Sequence, residues 1–418
     1  MSSSFDSSFY YLWLQEILGV GSDKLREVLE YFGSAEKAYS ASYAAFSSSD
    51  IFGEGELERK NKTDDKKLLD ILSYSGENNI RIITPEINEY PKALRFIEAP
   101  PAVLFARGQK LENDLPHFGV VGTRKPTEFG EKAAFSLSAR LSLSGFVIVS
   151  GGALGIDKMA HLGALATGGK TVAFLGGGID CSYLKTNKAL RDSIEKSGTL
   201  ISEFSPKAPA VRYNFPIRNR LISAMSSGVA VIEAGCKSGA LITASYAMEQ
   251  GKEVFAVPGS IGSSEYDGNN QLLRDGAIPL ISVDDVLAVY SGRFSDKINL
   301  DNRLTKEVTA VLYRELENRK KPKSTKGPNS ASKQVKSTDM KVKVTREKAF
   351  VKPDAESFSC SSNAKKIIKA FEEETEMSDI LSARSGVNGA EFIAAVTELE
   401  LKGHIKAVPV GRYRIIIK

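Results

Sequence analysis

The feature that most constrains the fold is a regular alternation between residues 117 and 290. Short β-branched runs at 118–122, 146–150, 171–175, 199–202, 229–233, 254–258 and 278–281 carry stretches of helical period near 128–143, 157–167, 188–197, 238–250 and 284–290 between most of them. A strand that is apolar throughout must be covered on both faces, and parallel pairing needs a long crossover such as a helix. The pattern predicts an α/β fold with a Rossmann-like, doubly wound, mainly parallel sheet. Such sheets take ligands beyond the carboxyl ends of their strands, so the loops that follow the strands are the place to look for function.

The flanks read differently. In "LQEILGVGSDKLREVLEYFG" (14–33), apolar residues at helical spacing stand on both sides of Gly19-Val20-Gly21. This is the pattern of a helix-hairpin-helix, whose turn can offer N–H groups to a phosphate, and equally of a plain helical hairpin closed by glycines. Residues 363–418 read as helix, turn, longer helix and terminal ribbon, the winged-helix order. The expected domains are a helical (helix-hairpin-helix or SAM-like) domain over 1–75, the Rossmann-like domain over 76–290, a helix and basic flexible linker over 291–362, and a winged helix over 363–418.

Charge matters only by location. The net charge of +5 hides a linker, 319–353, with twelve Lys/Arg and two Asp/Glu, while residues 111–290 hold seventeen of each sign. Within that neutral body, 185–220 concentrates Lys185, Lys188, Arg191, Lys196, Lys207, Arg212, Arg218 and Arg220 against three acids, interleaved with Tyr213 and Phe215. Three scattered cysteines (Cys181, Cys236, Cys360), the lack of a basic leader and the absence of a bilayer-length apolar run lead to the expectation of a cytoplasmic protein without a membrane role.

Three loops then stand out. "GTRKP" (122–126) offers Gly122, Thr123, Arg124 and Lys125; "SGGALGID" (150–157) offers Ser150, Gly151 and Gly152 as an anion nest; "AGCKSGALITA" (234–244) offers Lys237 before a helix. With "FPIRNR" (215–220) they predict several anion subsites beside an aromatic and cationic strip. That suits a tracking polyanion such as single-stranded nucleic acid. "ALATGGKT" (164–171) is a P-loop decoy, since it ends a helix and enters a strand. The histidines His117, His161 and His404 have no metal-ligand spacing, so neither metal nor cofactor is expected. Glu233, at the end of a strand, is a candidate general base or else a carboxylate that accepts N–H bonds from the turn that follows it.

At these residues the sequence resembles the DNA-processing protein A family (DprA, also called Smf). The ordered blocks are "YPKALRFIEAPPAVLFARG", "GTRKPTEFG", "SGGALGIDKMAH", "FLGGGID", "FPIRNRLIS", "EAGCKSGALITA", "VFAVPGSI" and "GNNQLLRDGA". The resemblance implies an extended Rossmann-like fold and a non-enzymatic, homodimeric single-stranded DNA binder that protects incoming strands in natural transformation and helps load the RecA recombinase. It assigns DNA contacts to Arg124, to the Ser150–Gly152 turn, to Lys185, and to Arg218, Asn219 and Arg220. This chain has Tyr183-Leu184 where the family usually has Tyr-Pro. The competing expectations are a phosphoribohydrolase-like nucleotide enzyme using Glu233 and a winged-helix regulator of duplex DNA.

Overall fold

The computed structural model describes residues 5–181, 187–299, 312–313, 354–372, 375–408 and 412–416. Lys185 and most of the expected linker lie outside them. The chain divides into two compact units, residues 1–336 and 337–418.

The first unit begins with six helices: α1 (Ser7–Leu18), α2 (Leu25–Phe32), α3 (Ala35–Ser40), α4 (Tyr43–Ser47), α5 (Glu54–Lys62) and α6 (Asp65–Glu77). Then β1 (Arg81–Ile83) and β2 (Leu104–Gly108) lead to the alternating body. It consists of β3 (His117–Val121), α7 (Glu128–Leu143), β4 (Val147–Ser150), α8 (Ile156–Ala166), β5 (Thr171–Leu175), α9 (Lys188–Ser197) and β6 (Thr199–Ser202). It continues with α10 (Asn214–Met225), β7 (Gly228–Val231), α11 (Gly239–Glu249), β8 (Glu253–Ala256), α12 (Asp267–Arg274), β9 (Ile278–Pro279) and α13 (Val283–Tyr290).

The nine strands form one sheet in the order β1-β2-β6-β5-β4-β3-β7-β8-β9. From β6 to β9 every pair is parallel, while β1–β2 and β2–β6 are antiparallel. The chain winds outward from β3 through β4 and β5 to β6, then returns through α10 to place β7 on the other flank of β3. That reversal opens a crevice above the carboxyl ends of β3 and β7.

Two helices of the body, α10 and α12, lie outside the helical stretches expected from sequence. The segment read as an aromatic and cationic strip is the first turn and a half of α10, with Pro216 in the first turn. Proline is tolerated there because the N–H it lacks would have had no partner within the helix. The short α12 also went unforeseen.

Burial follows the winding. Phe118, Phe135, Phe146 and Phe255 pack one face with α7, α8 and α13, while Leu221, Ile222 and Met225 of α10 and Ala240, Ala244 and Ala247 of α11 cover the other. The N-terminal helices do not form a separate core. Trp13, Leu14 and Ile17 belong to the same buried cluster as Phe105, Leu175 and Leu200 of the sheet.

The second unit has helices Ser362–Ala370, Ser378–Ser385 and Gly389–Leu401, and a three-stranded antiparallel sheet from Thr375–Met377, Ile405–Val408 and Arg412–Ile415. Its own core includes Ile367, Ile368, Phe371, Leu381, Val396 and Leu399.

Candidate nucleic-acid interface

The glycine-poor turn after β3 is held from beneath. Thr123 N–H donates to the Glu233 carbonyl at 2.7 Å and Ile156 N–H to the Thr123 carbonyl at 3.1 Å, so the turn is pinned between β7 and α8. Gly122 allows this approach, since a Cβ there would lie 2.6 Å from Ile156 Cγ1. Lys125 N–H donates to Thr123 Oγ1 at 3.2 Å. The side chains of Arg124 and Lys125 are exposed.

The Glu233 carboxylate is fully buried. It accepts from Thr127 N at 3.0 Å, from Thr127 Oγ1 at 2.6 Å and from Tyr266 OH at 3.1 Å. Thr127 in turn caps α7 by accepting from Gly130 N–H at 3.1 Å. Glu233 thus fastens the first turn of α7 to the end of β7 and takes no part in lining the cleft. The turn whose N–H it accepts follows β3, not β7.

The cleft itself has a volume of about 1060 Å³. Gly122, Thr123 and Arg124 come from the loop after β3, Asp157 from α8, Arg212, Phe215, Arg218 and Asn219 from the approach to α10 and its first turns, and Lys237 and Ser238 from the loop before α11. Four cations (Arg124, Arg212, Arg218, Lys237) face two carboxylates (Asp157, Asp267). Ser238 caps α11 by accepting from Ala240 N–H, which leaves that helix N-terminus at the cleft wall.

Arginines at this site do two different jobs. The Arg124 guanidinium lies 4.6 Å over the Phe215 ring. Arg218 is buried in the floor, donates to the Gly151 carbonyl at 2.7 Å and to the Phe174 carbonyl, and lies 5.8 Å from the same ring. Burial lowers its pKa to about 10, so it remains a cation. Asn219 Nδ2 donates to the Gly239 carbonyl at 3.2 Å, tying α10 to the start of α11. Asp157 is buried beside Arg218; burial raises its pKa and the Arg218 charge opposes the rise.

Several residues expected to touch DNA serve the framework. Ser150 is fully buried, and its hydroxyl donates to the Val120 carbonyl at 2.6 Å. Gly151 is buried, and a Cβ there would lie 2.6 Å from Arg218 Nη1, while Gly152 has a left-handed φ of +66°. Arg220 points away from the cleft. It pairs with buried Glu203 at 2.6 and 2.7 Å, and Glu203 Oε1 also accepts from Gly21 N–H at 3.3 Å. The hairpin turn of the N-terminal helices therefore offers that N–H to a carboxylate of the same chain. Arg212 of the cationic strip and Ser238, beside Lys237 in the third loop, were not among the expected contacts, yet both line the cleft.

Comparison with known proteins agrees with this architecture. The DNA recombination-mediator protein A family profile matches residues 81–291. Protein Smf of Synechocystis is 36% identical over 284 residues, spanning 67% of this chain and 71% of that protein. DNA processing protein DprA of Bacillus subtilis is 40% identical over 221 residues, 53% of this chain and 74% of that one. The X-ray structure of DprA from Streptococcus pneumoniae, 33% identical, superposes with a TM-score of 0.60 and covers 68% of this chain and 98% of that chain. On these grounds the chain belongs to the DNA recombination-mediator protein A family, alongside the proteins named Smf and DprA.

Proposed function

We propose that the protein is a single-stranded DNA-binding recombination mediator that protects incoming DNA in natural transformation and helps load RecA, acting without catalysis. The observation that carries this reading is the convergence of Arg124, Arg212, Arg218 and Lys237 from separate segments on one cleft at the carboxyl edge of the sheet. A mononucleotide needs one or two phosphate contacts, whereas four dispersed cations with an aromatic ring suit a strand. Gly122, Thr123, Arg124, Lys125, Phe215, Arg218, Asn219 and Lys237 are the proposed contacts. Ser150, Gly151, Gly152 and Arg220 shape or brace the groove from within, and Lys185 is proposed from the family pattern. The burial of Glu233 away from the cleft weighs against a phosphoribohydrolase-like reaction.

RecA as partner and a homodimer are proposed from the family resemblance, and a cytoplasmic setting from the three scattered cysteines. The winged-helix reading of the C-terminal unit is proposed from its order of helices and strands. Glu391 and Glu400 are exposed on its longest helix together with Ile393 and Leu401, which favours a protein contact over a DNA groove. No helix among the described residues is long and apolar enough to cross a membrane.

The deciding experiment is binding of labelled single-stranded and duplex oligonucleotides across a salt series. Neutralising about four phosphates predicts a log–log salt slope near −3 for the single strand. Equal affinity for both forms would refute the reading.

A further inference from the structure

Phe129 is the exposed aromatic residue of the turn and helix start that carry Arg124 and Lys125. The residue is 60% exposed in the first turn of α7. A single exposed apolar side chain is ordinary, so its setting has to carry the argument. The ring meets Tyr266 edge to face at 6.3 Å. Tyr266 is buried, and its hydroxyl donates to Glu233. Glu233 also holds Thr127, two residues before Phe129. Gly130 closes the arrangement, since a Cβ there would lie 2.2 Å from Glu233 Oε2. The backbone under Phe129 is thus fixed on one side by a buried carboxylate and the ring is supported on its other side by a buried tyrosine.

The location is equally specific. Ser264 and Asp267, which bracket Tyr266, line the cleft. Phe215 stands on α10, whose apolar side covers one face of the sheet, whereas α7 covers the opposite face. The Arg124 turn projects between them from the central strand. Phe215 is itself partly covered: Arg124 lies over its ring, and its Cδ1 comes within 2.7 Å of where a Cβ on Gly176 would stand. Phe129 offers the freer face.

We propose that Phe129 is a second base-stacking position, which receives a nucleobase of the strand whose phosphates are held by Arg124 and Lys125. This rests on the single-stranded DNA reading above and extends the interface from the cleft over the start of α7. Stacking on an aromatic face is tolerant of sequence, because every base has such a face. A rigid ring beside a cationic turn meets that need at little entropic cost.

The test measures binding of fluorescein-labelled oligothymidylate to the full chain by anisotropy. The variants are Phe129→Ala, Phe129→Trp and Arg124→Ala, and the control is a matching oligonucleotide of abasic sites. Phe129→Ala is expected to weaken oligothymidylate binding about tenfold, within the range for loss of one stacked base, without changing the salt slope or abasic binding. Phe129→Trp is expected to restore affinity and to be quenched by oligothymidylate. Its emission can be separated from the background because Trp13 is the sole native tryptophan and is buried. Wild-type affinity in Phe129→Ala, or an equal loss on the abasic strand, overturns the inference. If Arg124→Ala loses binding while Phe129→Ala does not, the inference fails and the proposed function stands; failure of wild type to bind either strand removes both.

Discussion

The Arg124 guanidinium rests 4.6 Å above the ring of Phe215, so a cation in the turn after the central strand is seated on an aromatic residue in the first turn of α10. The two residues lie far apart in sequence, and neither owes its position to the other's element. A cation–π contact of this kind orients a guanidinium without neutralising it. In the proposed role, this seat sets the direction from which Arg124 meets a phosphate.

Two variants separate these contributions. Arg124→Ala should weaken single-strand binding for every sequence and make the salt slope shallower by about 0.7, the value of one phosphate contact. Phe215→Leu keeps an apolar floor but removes the seat. It should weaken binding by a smaller factor and leave most of the slope. Anisotropy titrations at several salt concentrations check both outcomes.

Arg220 should behave as a structural residue. Its partner Glu203 is buried, and Arg220→Ala would leave that carboxylate uncompensated beneath the N-terminal turn. Breaking one side of a buried pair costs about 3–5 kcal/mol, so urea denaturation should register a large loss of stability. The salt slope of DNA binding, measured where the variant is folded, should be unchanged.

Glu233→Gln provides a direct contrast with an enzymatic reading. An amide can accept from Thr127 through its oxygen, but its nitrogen cannot accept from the remaining donors. The expected result is a loss of stability of about 1–3 kcal/mol, the scale for an unsatisfied buried group. Incubation of wild type with nucleoside monophosphates should release no free base, as followed by chromatography. Base release abolished by the substitution would reverse this assignment.

Acid should destabilise the body through two buried histidines. Burial holds the pKa of His117 at about 4 and that of His161 at about 3, below the ordinary value of about 6.5. Thr171 Oγ1 donates to the Ile148 carbonyl, so the His161 Nδ1–H donates to Thr171 Oγ1 and the ring is neutral. Because both folded values are depressed, their contribution is complete above pH 6.5 and is lost as pH falls toward 4 and then 3. Each histidine should contribute a slope of up to about 1.4 kcal/mol per pH unit in that window. His117→Gln should remove its share in chemical denaturation run from pH 7 to pH 4.

The strands and most helices of the body were legible because a doubly covered parallel sheet needs unbroken apolar runs. β3 through β9 and α7 fall where that pattern places them. β1 and β2 were not legible, since three and five residues of antiparallel edge carry little periodicity. α10 was obscured by Pro216 and its polar neighbours. The anion-binding loops were readable as loops, but the fate of each cation was not. Arg218, Asn219 and Arg220 are adjacent in sequence, yet successive helical positions turn them toward the cleft floor, the start of α11 and Glu203 respectively. Which of three neighbouring residues meets a buried acid depends on packing between elements, and charge patterning along the chain does not encode it.

The core shared by α1 and the sheet has a consequence for the first eighty residues. With Trp13, Leu14 and Ile17 packed among Phe105, Leu175 and Leu200, these helices act as a brace on the antiparallel side of the sheet and cannot swing as a tethered module would. Trimming them would expose one face of β2, β5 and β6 to water and strip Glu203 of its Gly21 contact. A shortened chain would then have to recruit another apolar surface to cover that face, and aggregation is the simplest way to find one.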